Sequence, residues 1–243
     1  KLEQRDIEGY LHYLAYAAQI HRITGDVFIY DQPPTISSFA KVPIQDWLKA
    51  DPFRTMHSAI NGFVKSDKLR QLLGRFATYV GGSPYLAPAT LNVIAHVELT
   101  GGVWYPKNGV YSIAHALENL AIELGITIQT NCGVQQINIE NGQVTGVTTK
   151  DGQTISADVV VSNVDVTTTA KYLLPDKVVS QPKLKKMEST DLSCSGFVMM
   201  LGVEGTYPQL AHHNNVFSSD YEHAFQQLLA DEVVPDDHTI YLC

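Results

Sequence analysis

YVGGSPYLAPATLNVIAHVELTGGVWYPKNGVYSIAHALENLAIELG, residues 79–125, is the stretch on which the reading of this chain turns. A glycine-rich aromatic loop (Tyr79 to Tyr85) leads into a helical segment, then a short aromatic strand, Val103–Pro106, and a turn, Lys107–Gly109. An amphipathic helix follows at once. Ile113, Leu117, Leu120, Ala121 and Leu124 fall on one face, and Gly125 stands where a left-handed residue closes a helix.

Beyond it the period changes from helical to strand-like. Glu140-Asn141-Gly142-Gln143 and Lys150-Asp151-Gly152-Gln153 each set an Asn-Gly or Asp-Gly pair between alternating apolar runs, which predicts a three-stranded meander. Ala157-Asp158-Val159-Val160-Val161 is apolar enough to be a return strand buried on both faces of a parallel sheet. Residues 175–192 read as a polar connection with a short helix, Ser195–Val203 as a strand, Tyr221–Leu229 as a helix, and the tail as strand again.

Working outward the other way, Ile7, Tyr10, Leu11, Leu14, Ala17, Ala18 and Ile20 recur at helical spacing and predict a helix over 6–20. Pro33-Pro34 and Asp51-Pro52 are breaks, with shorter helices around 43–50 and 53–64. Asp67 is placed to cap a helix over 68–78 whose apolar face is Leu69, Leu72, Leu73 and Phe76. Residues 1–80 are thus mainly helical and hold no phosphate-binding glycine pattern.

Composition narrows the class. The 243 residues are 44% hydrophobic and 17% charged, with a formal charge of −8, which suits a globular protein and argues against nucleic acid, whose phosphates call for a basic stripe. Cys132, Cys194 and Cys243 are far apart and show no CxxC spacing, so neither a zinc site nor a disulfide framework is expected, and a reduced, cytoplasmic setting follows. No run of 18 apolar residues is present to span a membrane. Lys1 opens directly onto a helical pattern and Thr239–Cys243 reads as the inside of a strand, so the chain is expected to be an internal piece of a longer protein.

Four segments taken in order, Tyr79-Val80-Gly81-Gly82-Ser83-Pro84, Gly102-Val103-Trp104-Tyr105-Pro106, Ala157 to Asp165 (ADVVVSNVD) and Leu210-Ala211-His212-His213, resemble the bacterial-type phytoene and carotenoid desaturases, a family of FAD-dependent oxidoreductases. The resemblance covers most of the chain and is strongest over 75–175. It implies a mixed α/β (α+β) fold. Part of a glutathione-reductase-like FAD-binding domain (helix, β-meander, return strand) would occupy 106–170. A substrate domain would be helical over 1–105 and built of mixed strands and helix over 171–243. The family's first GxGxxG unit, which seats the pyrophosphate at a helix N-terminus, has no counterpart here, since Gly101-Gly102 has the wrong spacing.

The resemblance also implies site residues. Val134, after Cys132-Gly133, stands where the family offers backbone groups to the adenine, or is an ordinary strand residue. Asn163 ends the return strand beside the flavin, or is a turn former, and Asp165 reads as a cap rather than an acid catalyst. Trp104 and Tyr105, with Tyr79, Ser83 and Tyr85, would line the path of a hydrophobic polyene, which needs apolar and aromatic walls; the other reading is core packing. Lys107-Asn108-Gly109 replaces the family's Gly-Gly turn, which Asn tolerates. No catalytic residue is assigned and no metal is expected, because His212 and His213 on a strand would face opposite sides.

The activity so implied is desaturation of a precursor such as phytoene, with hydride passing to flavin N5, and with substrate solubility favouring a peripheral contact at the cytoplasmic membrane face. A related oxidase, ketolase, isomerase or saturase, or a non-catalytic isoprenoid-binding domain, stays open on these residues.

Overall fold

A computed structural model describes residues 3–30, 35, 37, 42–190 and 196–243. The chain forms two compact units, residues 1–104 with 193–243, and residues 105–192. The architecture is mixed α/β, with small antiparallel sheets and helices.

The first unit is built on helix α1 (Gln4–Thr24), α2 (Ile44–Lys49), α3 (Met56–Phe63) and α4 (Asp67–Gly74). The buried stripe of α1 is Asp6, Gly9, Tyr13, Ala17, Ile20 and Thr24, spaced three and four apart. Ile7 and Leu11, which the apolar pattern assigned to the core face, are 44% and 58% exposed. The helix is rotated because Asp6 serves the next segment. Its carboxylate accepts from the backbone amides of Lys65 (2.6 Å) and Ser66 (3.2 Å), where α3 ends.

Tyr13 packs with Met56, Ile60, Val64, Leu69, Leu73, Phe76 and Ala77 in the main apolar core. Its hydroxyl donates to the buried Asn92 Oδ1 at 2.9 Å, so neither polar group is stranded. Helix α3 is capped by Thr55, whose side chain accepts from Ser58 N at 3.2 Å. Ser66, not Asp67, precedes α4; Asp67 is its first residue and pairs with Arg70 at 3.1 Å. The chain continues through a 3₁₀ segment, Arg75–Val80, a left-handed Gly81 (φ 65°) and α5 (Val93–His96) flanked by 3₁₀ and π-helical turns.

In the second unit the predicted helix appears as α6 (Tyr111–Glu123). It ends in a Schellman motif: Ile126 N bonds Ala121 O at 2.9 Å, and Gly125 N bonds Ile122 O at 3.0 Å, with Gly125 at φ 77°. Strands β1 (Val134–Glu140), β2 (Gln143–Thr149) and β3 (Thr154–Ser156) form the predicted antiparallel meander. Asn141 (φ 51°) and Gly142 (φ 80°) make a two-residue turn with both centres left-handed, as a type I′ hairpin requires. In the second hairpin Gly152 (φ 85°) is left-handed and Asp151 is not, the pattern of a three-residue loop closed by a glycine bulge. A bulge in β2 also shifts the pairing from Asn138↔Gly146 to Ile139↔Val144. A Cβ on Gly146 would lie 2.1 Å from Ile155 O, so β3 reaches its place only against a glycine.

Three predicted strands are not formed. Val103–Pro106, Ala157–Val161 and the described part of Ser195–Val203 are irregular, with Val159 74% and Val161 90% exposed. A strand exists only through the ladder of a neighbour, and among the described residues these runs have none. The return strand of the expected FAD-binding domain is therefore corrected to an irregular segment. It leads into a short helix, α7 (Val166–Thr168), a π-helical turn, Thr169–Leu173, and α8 (Gln181–Glu188). The first unit is completed by β4 (Asn214–Val216), α9 (Tyr221–Leu229) and β5 (Ile240–Leu242), with β4 and β5 antiparallel. Pro33-Pro34 and Ser193-Cys194-Ser195 lie outside the described residues.

Candidate functional site

The loop after Val80 is shaped by short-range bonds. Ser83 is buried, its Oγ accepts from Tyr85 N at 3.2 Å, and its carbonyl accepts from Ala87 N at 2.8 Å, turning Pro84-Tyr85 toward α3. The amide of His57 donates to Pro84 O and that of Met56 to Ala87 O, both at 2.8 Å, which fixes the loop on the start of that helix. The Tyr85 ring thereby lies 4.5 Å from the His57 imidazole and 6.2 Å, edge on, from Phe225 of α9.

His57, Pro84 and Tyr85 wall a cleft of about 380 Å³ together with Arg70, Asp220, Tyr221 and Glu222. Burial pushes the phenols of Tyr85 and Tyr221 up to about 12, with Glu222 adding to it at Tyr85 and Tyr85 itself adding to it at Tyr221. Burial also holds the His57 imidazole below its usual range, against the pull of Glu222, and Asn61 Nδ2 bonds its Nε2 at 2.7 Å. Near neutral pH the cleft thus presents uncharged phenols and an uncharged imidazole beside a carboxylate rim. A larger cleft of about 590 Å³, with Arg22, Asp26, Asp46 and Lys49 among its walls, contains none of the residues predicted for the site.

Tyr79 is aimed elsewhere. Its hydroxyl donates to Glu98 Oε2 at 2.6 Å, and Arg75 holds Glu98 Oε1 at 2.8 Å, a three-membered network that raises the Tyr79 phenol chiefly through the bond to Glu98. Trp104 is 88% exposed, with its ring nitrogen 3.4 Å from Gly101 O, and Tyr105 is 61% exposed. Of the predicted substrate-lining residues, Ser83 and Tyr85 meet in one loop, whereas Tyr79 is engaged by Glu98.

In the second unit, Val134 opens β1, paired with the buried Thr149 of β2; Thr149 Oγ1 accepts from Gln153 N at 3.0 Å and seals the hairpin. Asn163 is exposed in the irregular segment before α7. Ser162 Oγ lies 2.9 Å from Thr169 Oγ1, and Thr169 Oγ1 donates to Val164 O at 3.3 Å, so the backbone around Asn163 is held against the π-helical turn. Asp165 is the cap of α7, its carboxylate accepting from Thr168 N at 2.9 Å, a bond that lowers its pKa. Within this segment the Val164 amide donates to Ser162 Oγ at 3.3 Å. No glycine-rich helix start for a pyrophosphate accompanies it.

Residues 27–205, most of both units, match the model of the flavin-containing amine oxidoreductases. The chain belongs to that family. This member of the flavin-containing amine oxidoreductases is 39% identical over 244 aligned positions to 4,4'-diaponeurosporene oxygenase of Staphylococcus haemolyticus strain JCSC1435, and 40% identical to the same-named protein of Staphylococcus aureus strain bovine RF122. Each alignment takes in 99% of this chain and 48% of the relative, so the chain spans about half the length of the curated relatives it matches. A Pyrococcus furiosus crystal structure aligns over 57% of this chain and 36% of its own, at 23% identity and a TM-score of 0.45, a likeness too low to bear on the fold. Among the described residues no helix is long and apolar enough to cross a membrane.

The residues missed in the sequence are Arg75, Glu98, His57 and Glu222. Each is a scattered polar residue in a helical stretch, and their meeting depends on how helices pack rather than on any local spacing.

Proposed function

We propose that this chain is part of an FAD-dependent oxidoreductase that oxidises a carotenoid. The observation that carries the reading is the 39–40% identity, running over 99% of the chain, to two proteins named 4,4'-diaponeurosporene oxygenase. Membership of a flavin-containing family supplies the redox group. Of the reactions left open by the sequence, the relatives' name favours an oxygenation; desaturation of a precursor such as phytoene is the second reading, carried by the desaturase-like segments around Trp104 and Val159.

In desaturation a bound flavin would take up the hydrogen equivalents removed from the substrate; in oxygenation the oxygen atom gained would come from dioxygen. The protein's share is positioning and exclusion of water. A polyene offers no hydrogen bonds, so its walls must be aromatic and aliphatic; Trp104, Tyr105, Tyr79, Ser83 and Tyr85 are the residues that the desaturase resemblance assigns to that role. Val134 and Asn163 are assigned backbone contacts to the nucleotide, in a partial glutathione-reductase-like domain. A peripheral membrane contact would deliver so insoluble a substrate.

Incubating the flavin-bound enzyme with 4,4'-diaponeurosporene and, separately, with phytoene, followed by chromatography and mass spectrometry, tests the proposal. Gain of oxygen by the first supports oxygenation, and loss of hydrogen pairs by the second supports desaturation. Neither substrate being changed refutes both.

A further inference from the structure

The hairpin of β4 and β5 brings together three side chains that were read apart in the sequence. His212 and His213 lie in a bend before β4, not within a strand, and their rings meet edge to face with centroids 4.4 Å apart. The premise that they face opposite sides therefore fails. The register pairs Asn214 with Leu242, so one step further along the hairpin His213 stands opposite Cys243. One ligating atom each from His212, His213 and Cys243 lies within 4.8 Å of the other two, and all three residues are exposed.

We propose that these residues form a zinc-binding site, with two imidazoles and one thiolate as ligands and a water in the fourth position. Zinc accepts nitrogen and sulfur together in a tetrahedron. Bonds of its ordinary length put the ligand atoms roughly 3.3–3.6 Å from each other. The observed separations, up to 4.8 Å, exceed that by at most about 1.5 Å, within the reach of rotamer adjustments in exposed side chains. Carboxylates are absent from the trio, which disfavours calcium and magnesium.

A neighbour already orients one ligand. The Tyr241 hydroxyl bonds His213 Nδ1, and the two rings stack with centroids 5.8 Å apart at 17° between planes. A hydrogen bond to one imidazole nitrogen fixes the ring and directs the other nitrogen outward, the usual support for a metal-bound histidine. Tyr241 is thus a positioning residue. Binding displaces the Cys243 thiol proton to solvent, so the affinity falls as pH is lowered.

The test uses the whole protein, dialysed against chelator, with Zn²⁺ followed by calorimetry and Co²⁺ by difference absorption against the unloaded sample. One Zn²⁺ per chain and a thiolate-to-cobalt charge-transfer band are expected. Cys243→Ser should abolish the band while Cys132→Ser keeps it. His212→Ala and His213→Ala should weaken zinc at least tenfold, and Tyr241→Phe about tenfold, the scale of a lost supporting hydrogen bond. The absence of stoichiometric zinc, the absence of the band in the wild type, or its survival in Cys243→Ser overturns the site. The wild-type spectrum decides even where a variant misfolds.

Discussion

Replacing Gly9 by alanine isolates a close approach between two helices. Gly9 lies on the buried stripe of α1, and a Cβ there would stand 2.0 Å from Phe63 O and 2.9 Å from Phe63 C, where α3 ends. Carbon contacts settle near 3.5–4.0 Å, so the two segments must part by roughly 1.5 Å. The obstacle is backbone, and no side chain can swing aside. Parting them also lengthens the bonds from Lys65 N and Ser66 N to Asp6. Overpacking costs about 1–3 kcal/mol, and weakening bonds to a carboxylate adds about 1. Alanine's better helix propensity returns about 1, leaving a net loss of about 2 kcal/mol. For a chain of this size that lowers Tm by roughly 4–8 °C. The contrast is Gly62→Ala, inside α3 with nothing within 4 Å of its would-be Cβ, where the propensity gain of ~1 kcal/mol should appear unopposed. Urea and thermal unfolding followed by far-UV circular dichroism measure both. If Gly9→Ala is as stable as the parent, or if the two substitutions shift Tm alike, α1 and α3 do not touch as described.

Tyr13→Phe removes the buried donor to Asn92 Oδ1 and should cost about 1–3 kcal/mol, read as a lower urea midpoint at unchanged m-value. Trp104→Ala, at an 88% exposed residue, should leave Tm within about 1–2 °C while reducing carotenoid turnover far more than flavin content; equal loss of both would make it a fold residue. The His57 imidazole is held below its unfolded value of about 6.5 by burial, so the unfolded chain takes up the proton first. Stability should therefore fall as pH drops through about 6.5 toward the lower folded value, His96 acts in the same direction, and His57→Gln should flatten the slope in unfolding measured between pH 7.5 and 5.

Elements whose signals lie within a few residues were legible. The turn pair Asn141-Gly142 is left-handed at both centres, and Gly125 closes α6 with both Schellman bonds, because such conformations are decided by the residue that must adopt them. Asp220 caps α9 through His223 N at 3.0 Å for the same reason. The face of α1 was legible only in part, since Ala17 and Ile20 are buried as expected and Tyr10 and Leu14 pack on the core. Counting large apolar residues points to Ile7 and Leu11, while the buried stripe holds Asp6 and Gly9, chosen for a carboxylate that caps another segment and a hydrogen that lets a carbonyl approach. In the site, the Ser83–Tyr85 loop could be anticipated from its Gly-Gly-Ser-Pro sequence. Its closure on His57 and Phe225 could not, since those partners arrive from α3 and α9.

The unformed strands show where composition stops being informative. Val159 and Val161, and Phe197 through Leu201, have the β-branched and aromatic content of buried strands, yet they stay irregular and largely exposed. β3, only three residues long, is a strand because β2 lies beside it with Gly146 cleared for its approach. Hydrophobicity rewards burial, and burial needs a second surface; the ladder likewise needs a second backbone. The same reasoning applies to α6, whose Leu117, Leu120 and Leu124 are 61%, 49% and 69% exposed although capping and periodicity make it a secure helix. Local chemistry decides that α6 exists, and only a partner decides what its apolar face does. A residue's role here is therefore carried by contact rather than by type, which is why His212 and His213, unpromising as neighbours in sequence, come within reach of Cys243 once β4 and β5 pair.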